Sequence, residues 1–271
     1  MTEGEFWSEE LLSELRAGGY KPPAWSRFFV RAFARAREQR TERPRAHHQV
    51  LALGAAGLVA WGLVAVVGQA WVALAGALWW ILIALMLDWH LGMLEDPSGH
   101  RLHRLGPANM LSVVRAGVAP ALIVASPTVL AALLVPAGIT DVIDGRIARA
   151  RREETRLGHR LDGGVDGLVL GAAAIGAAGA GVLPWWIAAL VLGRHALQWL
   201  LVAAAFLVRA KAPPQNGFVS GKKPGLVLQA GLILAALHVP SAAVLVAAGA
   251  LGGLATLGLT VVRSYPVEAA R

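Results

Sequence analysis

Four of the six aspartates in the chain fall within 26 residues: Asp141, Asp144, Asp162 and Asp166. Each lies at or just inside an apolar stretch long enough to cross a bilayer, where one ionisable side chain costs roughly 2.5–3.5 kcal/mol to insert. Four carboxylates together also repel one another, and Ala or Leu would serve packing better. Their spacing suggests a chemical use. Asp141 and Asp144 are i, i+3, and Asp162 and Asp166 are i, i+4, so each pair shares one helix face. Brought together across a hairpin, they make an oxygen-rich cage whose charge two divalent cations would match. Hard oxygen donors, with no His or Cys among them, point to Mg²⁺ or Mn²⁺. Two such ions activate a nucleophile and neutralise a phosphoryl transition state. The neighbours fit that chemistry. Gly145 lets a ligand approach the backbone beside Asp144, and Arg149, one turn on, can grip a diphosphate with its fork. Gly163, Gly167 and Gly171 recur every fourth residue, which allows a neighbouring helix to pack closely.

The elements that must hold these residues are membrane helices. The chain has 271 residues, of which 56% are hydrophobic and only 15% charged, against about 25% charged in ordinary soluble proteins. A soluble α/β enzyme, a collagen-like fibre and a disordered tail are excluded. Apolar runs predict eight spans, near residues 50–67, 70–87, 109–125, 128–143, 163–183, 184–208, 225–238 and 239–262. The predicted fold is therefore an all-α, polytopic membrane protein. The loops at 68–69, 126–127, 183–184 and 238–240 carry no Lys or Arg, whereas the opposite set, with both termini, holds 23 of the 25 basic residues. The positive-inside rule puts that set, both termini and the Asp cluster on the cytoplasmic side of a cell membrane. The formal +8 charge thus reports orientation and gives no reason to expect nucleic acid. Without any cysteine there is no disulfide framework and no thiolate zinc site. The acidic, polar start Met1–Trp7 is not a signal peptide.

Residues 1–48 read as a separate cytoplasmic segment. Trp25, Phe28, Phe29 and Phe33 follow helical spacing, with Arg27, Arg31, Arg35 and Arg37 mostly on the other side. Such a helix suits the headgroup plane of an anionic membrane, and it equally suits packing against the protein's own cytoplasmic face. After the second span, Asp88, His90, Glu95, Asp96, His100 and His103 could hold a metal, although polar flanks around an interfacial Trp89 are the commoner meaning.

From Asp141 through Asp144-Gly145, Ala148-Arg149 and Gly158 to Asp162 and Asp166, the chain resembles the signature D-x2-D-G-x2-A-R-x8-G-x3-D-x3-D of the CDP-alcohol phosphotransferases at all eight fixed positions. Thr155 and Leu161 fit further family preferences. Pro107-Ala108-Asn109 with Ser112 and Arg115 resembles the family's Pro-Asn-x-x-Thr-x-x-Arg, with an inserted Ala and Ser for Thr. Ser220-Gly221-Lys222-Lys223 keeps the first half of its Gly-Lys-x-Lys-Thr. The resemblance covers roughly residues 105–262, the family's six-helix core. It divides the chain into the segment 1–48, two additional transmembrane helices in 49–104 and a catalytic domain in 105–271.

The resemblance implies that Asp141, Asp144 and Asp162 coordinate two metal ions, and that Asp166 contacts metal and takes the acceptor's hydroxyl proton. Gly145, Ala148, Arg149, Gly158, Asn109 and Ser112 would line the nucleotide and diphosphate site. Arg115, Arg194 and Lys222 are candidates for the acceptor pocket or its rim. The implied reaction moves a phosphatidyl-type group from CDP-diacylglycerol to a small polar alcohol such as glycerol phosphate or inositol phosphate, with release of CMP. A homodimer in the bilayer is the implied assembly. Two other readings stand beside it: a transporter that uses the Asp cluster as an ion or proton relay, and a silent scaffold. Transporters favour midplane sites between repeats, and here the carboxylates lie at span ends.

Overall fold

No charged residue interrupts the chain from Val50 to Leu87. In lipid every backbone amide and carbonyl must find its partner within the protein, so such a stretch forms helices. The computed structural model describes residues 3–264 except Pro97, Arg152 and 210–221. Its helices are α1 (Glu3–Ala17), α2 (Pro22–Glu42), α3 (Pro44–Val66), α4 (Ala70–Trp89), α5 (Pro107–Gly117), α6 (Ala119–Ile123), α7 (Pro127–Arg151), α8 (Arg156–Gly179), α9 (Trp185–Arg209), α10 (Lys222–Ala236) and α11 (Ala242–Ser264). Among the described residues no strand forms, and Glu95 and Arg101 make an isolated antiparallel bridge. Among the described residues six helices are long and apolar enough to cross a membrane: α3, α4, α7, α8, Trp185–Ala204 of α9 and Ala242–Thr260 of α11. Two shorter apolar segments, Pro107–Ile123 and Lys223–Ala236, fall where the third and seventh spans are predicted. The protein is an all-α, polytopic membrane protein.

Three element boundaries differ from the sequence expectation, each for a local reason. The fourth span does not stop near residue 143, nor does the fifth start near 163; α7 runs on to Arg151 and α8 begins at Arg156. Hydropathy marks where lipid ends, while helical hydrogen bonding continues into the polar layer. The third span is split at Gly117–Val118, with Pro120 in the first turn of α6, where its missing amide is tolerated and its fixed φ starts a new helix.

Contact clustering divides the chain into two units. The first comprises Met1–Pro120, Ile139–Val165 and Ala204–Gln215; the second comprises Ala121–Gly138, Asp166–Ala203 and Asn216–Arg271. In the first, α3 and α4 form a hairpin locked by tryptophans seated on glycines. The Trp80 ring lies over Gly57 of α3 and Gly117 of α5, and the Trp61 ring over Gly76, so closely that a methyl group on any of these glycines would overlap the ring. The Trp80 indole donates to the Gly54 carbonyl at 2.9 Å and the Trp79 indole to the Ala116 carbonyl at 2.9 Å. Large rings on bare backbone give the close approach that drives helix association where lipid removes the hydrophobic gain. The hairpin thereby fixes α5, which carries site residues. In the second unit α10 and α11 pack as a hairpin, and the Gln229 amide of α10 donates to the Leu134 carbonyl of α7 at 3.0 Å.

Candidate active site

Both halves of the aspartate motif lie on helix, the first on α7, which ends at Arg151, and the second on α8, which begins at Arg156. The start of α8 is fixed by Thr155, whose hydroxyl oxygen accepts the Gly158 amide at 2.9 Å. That is the N-cap bond of a helix to its third residue, and it gives a physical reason for a Thr three positions before the motif glycine. The Asn109 side chain donates to the Leu105 carbonyl at 2.7 Å and reaches the Thr155 hydroxyl at 3.4 Å. A Cβ on Gly158 would come within 2.7 Å of the Asn109 carbonyl oxygen. Gly158 therefore permits α8 to meet α5, and Asn109 holds the two together.

That meeting brings Asp141 and Asp144 of α7 to Asp162 of α8. One oxygen from each of the three lies within 4.8 Å of the others, and Asp144 is buried. Arg115 of α5 stands among them. Its guanidinium donates to Asp141 at 2.6 Å and lies 3.5 Å from Asp144 and 3.6 Å from Asp162. The Ser112 hydroxyl donates at 3.1 Å to Oδ2 of Asp144, the same oxygen that Arg115 approaches. Three carboxylates gathered around one guanidinium bring oxygen donors to one point, a donor set that fits a hard divalent cation. These three residues form a cluster able to hold a metal.

Asp166 stands one helical turn beyond Asp162 on α8 and belongs to the second unit. Arg149, exposed on α7, lays its guanidinium over Gly145, where an added Cβ would lie 3.4 Å from Nη1. Ala148 is half-buried beside it, and its carbonyl accepts the Glu153 amide at 2.9 Å. In the second unit Arg194 and His195 of α9 are buried at 2% and 7% exposure. The Arg194 guanidinium packs against Gly253 of α11 so closely that a Cβ there would overlap it, and His195 faces Gly167 of α8. The Lys222 side chain lies outside the described residues.

Two features were not anticipated. Arg115 sits at the centre of the carboxylates, a placement that depends on how α5 packs and that sequence spacing does not encode. The turn between α7 and α8 is held by the segment before the core. Arg156 gives its amide to the Glu95 carbonyl at 3.0 Å and its guanidinium to the Glu95 carboxylate at 2.6 Å, and Arg104 pairs with Glu153. The only sequence hint was the acidic Glu95-Asp96 pair among the polar residues after the second span. Those residues serve as structural joints. Asp88 receives Arg40 at 2.6 Å and His47 at 2.7 Å. Asp96 accepts the Ser98 hydroxyl at 2.6 Å and the amides of Ser98 and His100 at 2.9 and 2.8 Å. The Ser98 hydroxyl, then the His100 amide, holds the Asp96 carboxyl below the usual carboxylate range.

Fold and site together define a helical membrane protein with a polyaspartate site at the ends of its helices. A family model for CDP-alcohol phosphatidyltransferase matches residues 106–261, more than half of the chain. The chain belongs to the CDP-alcohol phosphatidyltransferase family. It is 38% identical over 94 residues to a Mycobacterium tuberculosis protein described as "Putative cardiolipin synthase", a match covering 33% of this chain and 45% of that protein. It is 36% identical over 93 residues to a Streptomyces coelicolor "Cardiolipin synthase (CMP-forming)", covering 34% and 42%. It is 31% identical over 156 residues to a Mycobacterium tuberculosis "Probable phosphatidylglycerophosphate synthase", covering 51% and 74%. The chain thus spans less than half the length of the cardiolipin synthase relatives. No solved structure matches the chain.

Proposed function

We propose that this protein transfers a phosphatidyl group from CDP-diacylglycerol to a polar alcohol and releases CMP, as a multi-pass enzyme of phospholipid synthesis. The observation that carries this reading is the convergence of Asp141, Asp144 and Asp162 on one point, in a chain that keeps every fixed residue of the family signature. The relatives' names, cardiolipin synthase and phosphatidylglycerophosphate synthase, share a glycerol-containing product. They favour a glycerol-type acceptor, such as glycerol phosphate or a lipid-borne glycerol, over inositol phosphate.

In the proposed reaction the acceptor hydroxyl attacks the phosphorus that bears the diacylglycerol. A new P–O bond forms in line with the bond to CMP, which breaks as CMP leaves with the electron pair. Asp166 takes the hydroxyl proton. Arg149 over the bare backbone of Gly145 grips the diphosphate, with Ala148 beside it. Asn109 and Gly158 fix the helix junction on which the nucleotide rests. Ser112 orients the Asp144 carboxylate, and Arg115 keeps the three carboxylates close despite their repulsion. Mg²⁺ or Mn²⁺, held by Asp141, Asp144 and Asp162 with Asp166 contributing to a second ion, would neutralise the diphosphate and the departing CMP. Arg194 and Lys222 are proposed for the acceptor side. Residues 105–271 form the proposed catalytic domain, with residues 49–104 and 1–48 as additions. The basic loops support a cytoplasmic face for the site and both termini, and a homodimer is the proposed assembly.

The test is purified protein with labelled CDP-diacylglycerol and a panel of alcohols, with CMP as the readout. CMP should form with a glycerol-type acceptor, and Asp166→Asn should slow its release about 10²–10⁴-fold, the range for loss of a general base. Undiminished release by Asp166→Asn would end the base assignment. No CMP with any alcohol would end the reaction assignment.

A further inference from the structure

Helix α2 lies outside the residues matched by the family model, and the reaction gives it no task. Its two sides differ. Ala24, Ala36 and Gln39 are buried, and Arg31 pairs with Glu10 and Glu14 of α1. This side is the protein-packed face. On the other side Phe29, Val30 and Phe33, at i, i+1 and i+4, are 52%, 66% and 46% exposed. A contiguous exposed apolar patch of this kind marks a surface that something covers.

Depth and charge say what covers it. Phe33 packs edge-on against Trp89, with ring centroids 5.8 Å apart. Trp89 is the last residue of α4, a helix long and apolar enough to cross the bilayer, and tryptophan at such an end sits at headgroup level. The exposed stripe of α2 is therefore continuous with the outward surface of α4, where Leu82 and Leu85 are 56% and 59% exposed. The charge is equally directed. α2 carries five arginines against two glutamates, and Lys21, Arg27 and Arg37 are exposed. An apolar stripe flanked by long cationic side chains at the level of the lipid phosphates complements an anionic membrane surface.

We propose that α2 is an interfacial helix whose Phe29–Val30–Phe33 face lies in the headgroup layer of an anionic bilayer beside Trp89, with Arg27 and Arg37 at the lipid phosphates. The helix then rests on lipid with one face and on the protein with the other. This placement does not depend on the reaction proposed above, and its test reads position, not turnover.

Because the chain contains no cysteine, Val30→Cys can carry a single environment-sensitive fluorophore on the full-length protein. Phe29→Cys is a second position on the same face, and Glu38→Cys is a reference on another face. The labelled proteins are reconstituted into phosphatidylcholine vesicles with and without phosphatidylglycerol, each prepared with and without lipid brominated near the headgroup end of its chains. The expected result is blue-shifted emission at positions 29 and 30, quenched by brominated lipid severalfold more than at 38, and more strongly with phosphatidylglycerol present. Replacing Arg27 and Arg37 by Gln should remove the phosphatidylglycerol dependence. Water-exposed emission at both positions in both vesicles would overturn the proposal. So would emission shielded from water yet unquenched by brominated lipid, which would mean that a second copy of the chain covers the stripe. Equal quenching in both vesicle types would overturn the anionic preference.

Discussion

Two sets of carboxylates meet arginines in the first unit, and they do so on opposite terms. At the joint below α4, Asp88 has Arg40 and His47, and Glu95 has Arg156, so each acid has at least one cationic partner. At the site, Asp141, Asp144 and Asp162 share Arg115. Both sets lie at the ends of membrane helices; Asp88 and Glu95 are buried, and at the site Asp144 is buried while Asp141 and Asp162 are partly exposed. The matched set holds the chain together: it ties α2 and α3 to α4, and the segment after α4 to the start of α8. The site set gathers three carboxylates around one guanidinium, a concentration of negative charge that a fold gains nothing from and that suits a divalent cation. Acids spread over separate partners make a joint, and acids gathered on one point make a site.

The sharpest break of this contrast is substitution within the clustered acids. Asp144→Asn or Asp162→Asn should slow CMP release about 10²–10³-fold, the cost of losing one preorganised electrostatic contact. The thermal midpoint in detergent should hold or rise, because a repelling charge is gone. A variant that lost stability and kept turnover would place these acids with the joints.

The converse substitution should act on stability. Asp88→Asn leaves Arg40 and His47 facing an amide, and unfolding free energy should fall by about 1–3 kcal/mol, the cost of an unsatisfied shielded charge. CMP release per folded molecule should stay near wild type. If activity vanished at unchanged stability, Asp88 would be part of the chemistry. Thr155→Ala sits between the two cases. Loss of the N-cap should cost about 1 kcal/mol, together with a reduced kcat as Gly158 and Asp162 lose their fixed origin; Thr155→Ser should restore both.

The smallest effect concerns Asp96. Its carboxyl is held below the ordinary range by the Ser98 hydroxyl and the His100 amide. The ionised form therefore supports the folded loop at pH above about 4, the ordinary carboxylate value, and that support fades as pH falls through the lowered value. Hydrogen-exchange protection of the Ser98 and His100 amides should drop on acidification, and Asp96→Asn should abolish the pH dependence. Constant protection in the native protein would remove the carboxylate from the loop's account.

The comparison also explains what the sequence made legible. The convergence of Asp141, Asp144 and Asp162 could be read directly, because it follows from spacing on two consecutive helices. The all-α membrane architecture followed from hydropathy and the asymmetry of basic loops. The extension of α7 to Arg151 did not, because charged residues end a hydropathy run without ending a helix. Arg115 was placed at the rim, since only the packing of α5 moves it to the centre. The seating of Trp80 on Gly57 and Gly117 was hidden as well, because Trp and Gly are common throughout the chain and their pairing is a tertiary property.

The most direct test of whether the clustered carboxylates hold the divalent cations of the proposed transfer is CMP release from CDP-diacylglycerol and a glycerol-type acceptor as metal is withdrawn and returned. EDTA should stop release by the native protein and Mg²⁺ or Mn²⁺ should restore it, while Asp162→Asn should need far more metal for the same rate. Release indifferent to EDTA, or a metal requirement unchanged in Asp162→Asn, would contradict that assignment.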